Sequence, residues 1–449
     1  MLFTHLGHAM WLTETAELRL LFDPLLSDVH HGGVFEVFPR RELDVAALQP
    51  DFIVVSHRHP DHFDVHSLRR LAREDADSVV LTSDDLVADT AKRLGFREVR
   101  VLGTYDRVSL SGAELLTTPS FAADVEWGMI VREGEVFAYN QVDTVLRDVR
   151  DATAVMADAG QAFGLERPLR PHLAIVRYQP LLEVEAVLGE RAGFPFDAYG
   201  LLLDQVAAID AHATLPGSAG SRHADAYAYM NRLVYPVPEP RFVRDLRVRA
   251  PRTRVLESRM GARYELAEDG ARELGPSPLA DARSADDDRS FRPIELPPLR
   301  DTGRVSELGR ARIRGFVVDE LAPALERAWP NFAVDRPLTF VLLVVYASDE
   351  EAFRIEVGPG TRQVSLAFDD DYDALNSVAG SLFLDVLEGR RHWGEPLLAG
   401  SLRSSLRAYR VDAKGLTRAR VGPLFLYYAL GYEESVRRAT EFLISSPEP

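Results

Sequence analysis

Four of the twelve histidines, at positions 57, 59, 62 and 66, fall within one short run of this chain. The run reads Val54-Val55-Ser56-His57-Arg58-His59-Pro60-Asp61-His62-Phe63-Asp64. Imidazole and carboxylate are the donors that hold divalent first-row metals, and both occur here at short spacing. His57 and His59, two residues apart, can point the same way and share one ion. Asp61 and His62 lie on the next turn, available to a second ion beside the first. Two adjacent cations can bind water as hydroxide, or bind and polarise dioxygen if they are redox-active.

Such donors need a rigid scaffold. Residues 52–55 read as a buried strand, and the run ends at Asp64, the expected N-cap of a helix. The donors then occupy a strand-end loop, where several side chains can converge on one point. Around them, short apolar runs bounded by Asp, Gly or Pro predict strands over 18–22, 78–82, 99–102, 129–131, 136–139 and 173–176. Helices are expected over 67–73 and 83–94. Many strands with few helices argue for α/β layering rather than a simple doubly wound sheet.

The run matches the His-x-His-x-Asp-His signature, and the sequence resembles the metallo-β-lactamase fold superfamily over residues 1–235. Gly7-His8-Ala9-Met10 and Leu20-Leu21-Phe22-Asp23-Pro24 resemble the N-terminal hairpin and Asp-Pro turn of its lactonase-like branch. Asn140, Asp143 and the segment Pro216-Gly217-Ser218-Ala219-Gly220 resemble the CMP-N-acetylneuraminate hydroxylase branch. The resemblance implies an αββα sandwich with two metals at one edge of its sheets. It implies His57, His59, Asp61 and His62 as ligands, with Asp143 as a carboxylate bridging the ions. Two further ligands of the superfamily have no simple counterpart. Where a third histidine is expected, residues 118–126 contain none, and Asp124 or Glu126 stands in as an oxygen ligand. Where the final histidine is expected stands Ser218; His223 either swings in to close the set or is a surface histidine. His172 and His212 read as structural.

The chain has 449 residues, room for two to four domains. Its 52 Lys and Arg against 69 Asp and Glu give a net charge of −17, a poor basis for gripping nucleic acid or an anionic membrane. There is no cysteine, which removes disulfides, thiol catalysis, Cys-ligated zinc and a Rieske cluster. No apolar run approaches the roughly 20 residues of a membrane span, and no signal peptide is evident, so a soluble cytoplasmic protein is expected.

Residues 236–300, rich in Pro, Arg and Asp, read as an extension and linker, with 279–292 the most exposed part. A smaller C-terminal α+β domain is expected over 301–449. Ile313, Phe316, Val317, Leu321 and Leu325 recur at helical spacing, with Pro323 expected to kink or split that helix. Strands are predicted over 339–347, 353–357 and 364–368, then helices over 373–387 and 433–444. The acidic run 369–373 reads as a helix start. The segment 386–403 resembles sterol-carrier-protein-like domains, although a plain accessory or dimerisation domain fits it equally.

Carboxylates in place of imidazoles make the site harder and favour iron or manganese over zinc. The first expectation is therefore a di-iron oxygenase acting on a small molecule, drawing electrons from an external reductase or ferredoxin. The alternative is a metal-dependent hydrolase of an ester, lactone, thioester or phosphoester using a metal-bound hydroxide, with Asp61 orienting it or taking its proton.

Overall fold

The computed structural model describes residues 1–121, 127–189, 193–283, 287–292 and 295–446. They form two compact units: residues 1–181 with 194–291, and residues 182–193 with those from 292 onward.

Two mixed sheets build the first unit. The first has eight strands in the order Gly270–Pro276, Ala262–Ala267, Leu2–Gly7, Met10–Glu14, Arg19–Phe22, Phe52–Val55, Val79–Thr82 and Val99–Val101. Pairing is antiparallel up to Arg19–Phe22 and parallel beyond it. The second has seven strands: Arg107–Leu110, Ala113–Pro119, Trp127–Glu133, Val136–Asn140, Leu173–Arg177, Ala213–Gly217 and Arg254–Val255. It too changes from antiparallel to parallel, after Val136–Asn140.

Strand alternation explains how the sheets stack. Leu115, Met129, Val131, Ala138 and Ile175 join Phe3, Trp11, Phe22 and Val54 in one core between the sheets. Their chain neighbours Leu116, Ile130, Tyr139, Ala174 and Val176 face the other way and join a second core. There they pack with Val155, Met156 and Ala159 of the helix Val149–Ala162 and with Phe242 and Leu246 of Glu239–Arg249. Successive side chains of a strand point to opposite faces, so a strand covered on both reads as a continuous apolar run. On the first sheet, the helices Val65–Glu74 and Asp85–Leu94 bury Leu68, Leu71, Val87 and Ala91. The result is the α/β sandwich of helix, sheet, sheet and helix.

Within the stretch expected as extension and linker, Ala262–Ala267 and Gly270–Pro276 complete the first sheet. Ala280–Ala282 pairs with Arg41–Leu43. No helix among the described residues is long and apolar enough to cross a membrane.

The second unit has a five-stranded sheet in the order Thr361–Leu366, Glu350–Gly358, Leu338–Val345, Ala374–Ala379 and Leu402–Leu406. The expected stripe Ile313, Phe316, Val317, Leu321 and Leu325 is fully buried. Its helix splits as Pro323 requires: Glu307–Gly315, a π-helical turn Phe316–Leu321, then Ala322–Ala328 with proline in its first turn. Two expectations are corrected. Residues 374–379, read as the start of a helix, form a strand parallel to Leu338–Val345, and the helix is only Gly380–Leu387. The acidic run is no helix start either. Asp373 pairs with Arg336 at 2.6 Å and accepts the Thr339 amide at 2.8 Å, pinning the residue before the strand to the neighbouring strand.

Candidate metal centre

The His-x-His-x-Asp-His run follows the strand Phe52–Val55 and precedes the helix Val65–Glu74. Asp64 caps that helix, its carboxylate accepting the Ser67 amide at 2.9 Å. Between them the His59 carbonyl accepts the amides of His62 and Phe63 at 2.9 and 2.7 Å. This tight turn folds Asp61 and His62 back over His57. Val136–Asn140 delivers Asp143 from the facing sheet. The turn after it is locked by the Thr144 hydroxyl donating to the Gln141 carbonyl and the Val142 amide donating to Asn140 Oδ1.

The donors converge. His57 Nε2 lies 2.9 Å from His59 Nδ1, and the His57 and His62 rings are 4.3 Å apart. His62 Nε2 is 3.2 Å from Asp143 Oδ2 and 3.5 Å from Asp61 Oδ2. Among the described residues, two groups have donor atoms close enough to hold an ion: His57, His62 and Asp143, and His8, Asp61 and His62. In each, all the donor atoms lie within 4.8 Å of one another.

Asp23 organises the deep side of this cluster. Phe22 pairs in register with Val54, and just beyond the strand ends Asp23 meets Ser56. Its carboxylate accepts the Ser56 amide at 2.8 Å, the Ser56 hydroxyl at 3.0 Å and His62 Nδ1 at 3.0 Å. An ionised carboxylate only accepts, so His62 carries its proton on Nδ1. The Ser56 hydroxyl spends its one proton on Asp23 and therefore accepts from His57 Nδ1, 2.9 Å away. In their neutral forms both imidazoles would thus turn Nε2 lone pairs to the centre, the outer-shell arrangement of ligating histidines. Asp23 holds a left-handed backbone, φ +42°, to do this.

The electrostatics describe a place for positive charge. Burial, with His62 and His59 beside it, pushes the His57 imidazole well below its ordinary value. Burial also opposes charge on His62, but Asp61, Asp143 and Asp23 outweigh it and hold that imidazolium well above. In return, against burial, His62 holds the Asp61 and Asp143 carboxyls well below the usual carboxylate range. One buried imidazolium thus offsets three carboxylates, a task that a cation performs better. His62 Nε2 is buried between the Asp143 and Asp61 carboxylates without a well-aligned hydrogen bond to either. Converging nitrogen and oxygen donors and surplus carboxylate charge fit a metal centre.

Of the residues expected from sequence, the structure brings together His57, His59, Asp61, His62 and Asp143. Asp124 and Glu126 lie outside the described residues. His223 is buried in the short strand Ser221–His223, with its ring 4.3 Å from Phe35 and 6.0 Å from Tyr235, and belongs to neither donor group. His172 and His212 stack on each other, 5.2 Å apart. Ser218 lines a cleft of about 210 Å³ with Asp143, Arg177, Tyr178 and Gln179. Tyr178 also lines two adjoining clefts, where Glu239 and Arg289 appear. Burial raises the Glu239 carboxyl to about 7.

Sequence reasoning missed His8, the His30-His31 pair, Asp23 as a site residue, and Glu239. His8 Nε2 is 2.9 Å from Asp61 Oδ2, and His31 Nε2 is 3.8 Å from Asp61 Oδ1. The available signal was the Gly7-His8 turn next to the Asp23 strand in the same sheet.

Residues 2–147 match the family model of the beta-lactamase superfamily domain. A protein of Mycobacterium tuberculosis named as a Rieske 2Fe-2S iron-sulfur protein is 32% identical over 154 residues, 31% of this chain and 29% of that one. The chain therefore spans under a third of the length of that relative. A metal-dependent hydrolase of Salinibacter ruber is 26% identical over 177 residues, 36% of this chain and 73% of its own. Among solved structures, the diiron beta-hydroxylase CmlA of Streptomyces venezuelae is 15% identical, with a TM-score of 0.40 over 61% of this chain and 54% of that one. An isothiocyanate hydrolase from Delia radicum gut bacteria is 16% identical, with a TM-score of 0.41 over 59% of this chain and 99% of that one. Residues 2–147, the part similar to the beta-lactamase superfamily domain, carry the histidine run and every donor of both groups.

Proposed function

We propose that this chain is a cytoplasmic di-iron oxygenase that hydroxylates a small molecule. The observation that carries the reading is the exchange of imidazole for carboxylate. The segment 118–126 has no histidine but holds Asp124 and Glu126, while Asp61 and Asp143 already face the centre. A harder donor set suits iron better than zinc.

His57, His59 and Asp143 would hold one ion, Asp61 and His62 the other, with Asp143 bridging. Two irons bound there supply the redox chemistry of dioxygen. The overall balance is R–H plus O₂, two electrons and two protons, giving R–OH and water. With no cysteine, this chain cannot ligate a 2Fe-2S cluster, so a separate reductase or ferredoxin delivers the electrons. That distinguishes it from its mycobacterial relative's name. Asp23 and Ser56 fix the two imidazoles, and the cleft at Tyr178, Gln179 and Arg177 admits the substrate beside Asp143. Glu239, raised to about 7, holds or releases a proton near neutral pH on the adjoining wall.

The second reading is hydrolysis of an ester, lactone, thioester or phosphoester. It is favoured by the Salinibacter relative, named a metal-dependent hydrolase and matched over most of its length. Asp61 would then take the proton of the attacking water.

Elemental analysis of protein expressed with iron and zinc both supplied separates the two readings. About two irons per chain, with O₂ consumption on addition of a reduced ferredoxin, supports the oxygenase. About two zincs, with turnover in the absence of O₂, assigns hydrolysis. A His57→Ala/His59→Ala protein that keeps full metal and activity overturns both.

A further inference from the structure

A second ion at Asp61 and His62 would be short of a protein ligand, because Ser218 occupies the position where the resemblance expects a closing histidine. Resting on the di-metal reading above, we infer that His8 supplies that ligand, from the turn between the strands Leu2–Gly7 and Met10–Glu14.

The turn delivers His8 to the correct side of the centre. His8 Nε2 lies 2.9 Å from Asp61 Oδ2, and its ring meets the His62 ring edge-on at 5.6 Å. His8, Asp61 and His62 place their donor atoms within 4.8 Å of one another. His8 is buried, 5% exposed, so its position is set by packing rather than by solvent.

The segment that lacks the histidine is the one that grips His8. Ser221 Oγ lies 3.1 Å from His8 Nδ1, which leaves Nε2 as the nitrogen turned to the ion. The same hydroxyl lies 3.1 Å from His30 Nε2. Gly220 packs on the backbone of His8 so closely that a side chain there would lie 2.6 Å from the His8 Cα and N atoms. His8 itself holds a left-handed backbone, φ +50°, a conformation that persists only where the surroundings impose it. Gly220 and Ser221 thus brace an imidazole brought from the first sheet.

Titration of the metal-free protein with zinc alone, followed by calorimetry and chelator competition, tests the assignment. The unaltered protein should bind two equivalents. His8→Ala should lose more than 100-fold in affinity at one equivalent and leave the other unchanged, because a ligand and not a support has gone. Ser221→Ala, which keeps the imidazole but releases Nδ1, should cost the same equivalent about 10-fold and serves where His8→Ala fails to fold. Ser218→Ala should keep both equivalents, since that hydroxyl binds no ion. A loss of 100-fold or less in a folded His8→Ala protein, or no effect of Ser221→Ala, overturns the role of His8 while the di-metal reading stands. Failure of the unaltered protein to bind zinc at all overturns the di-metal reading itself.

Discussion

Asp23 ties the two deepest imidazoles of the centre to one carboxylate, directly at His62 and through Ser56 at His57. Asp23→Asn replaces an acceptor-only group by an amide that can donate, so the His62 tautomer is no longer dictated. Metal affinity should fall by about 10- to 100-fold, read by chelator competition. The buried histidines also make the metal-free protein sensitive to acid. Burial lowers His5 and His31 to about 4, so between 6.5 and 4 the unfolded chain binds protons that the folded one refuses. Stability therefore falls with pH across that window, by up to about 3 kcal/mol for each histidine, which denaturant midpoints at pH 7 and 5 will show. Metal should suppress this dependence wherever it holds its ligands deprotonated. Glu239 acts in the opposite sense: its carboxyl, raised to about 7, is protonated below that pH. Glu239→Gln should flatten the pH dependence of turnover near neutrality, measured as kcat/KM against pH.

At the scale of elements, the centre exists because loops from two sheets meet at one edge, and each loop is held by a local device. Asp84 accepts the Leu86 and Val87 amides at 2.8 and 3.3 Å at the start of Asp85–Leu94. It also pairs with Arg58, the residue between His57 and His59. One carboxylate thus caps a helix and steadies the metal loop. Asp84→Ala should cost about 1–2 kcal/mol of stability through the cap alone and should weaken zinc binding as well, whereas an ordinary cap loss would leave binding intact. The contact of Gly220 on His8 works similarly across sheets. Gly220→Ala should destabilise the protein by about 1–3 kcal/mol, visible as a lower denaturation midpoint, because the backbone it strikes cannot rotate away.

The whole molecule interleaves its two units along the chain. Residues 182–193 leave the first unit's stretch of sequence and belong to the second. Their helix Glu183–Val187 buries Ala186 and Val187 and packs on Gly394–Leu398 and Leu402–Leu406. A cut after residue 291 is therefore not a clean domain boundary. Protein truncated there should expose Leu182, Ala186 and Val187 and associate on storage, which light scattering against the full chain will report. A truncated protein that stays monodisperse would show that the excursion folds without its partners. The net charge of −17 and the absence of cysteine act at this scale too, one disfavouring nucleic acid as a ligand and the other leaving no thiolate for an iron–sulfur cluster.

The sequence by itself determined what short spacing can encode. A buried strand, a loop of His57, His59, Asp61 and His62, and a helix capped by Asp64 follow one another within a few residues, and they stand as read. So do Asp143 at its strand end and the stripe from Ile313 to Leu325 with its proline break. Tertiary structure decided what depends on sheet order. Asp23 lies 39 residues from His62, His8 lies 53 from Asp61, and Ser221 lies 213 from His8, separations that no local period reports. Ala374–Ala379 went the same way. Its residues read locally as the start of a helix, but they lie parallel to the largely apolar Leu338–Val345, and burial in that sheet outweighed helix propensity. Local chemistry marked the histidine loop; the meeting of distant strands brought Asp23, His8 and Ser221 to it.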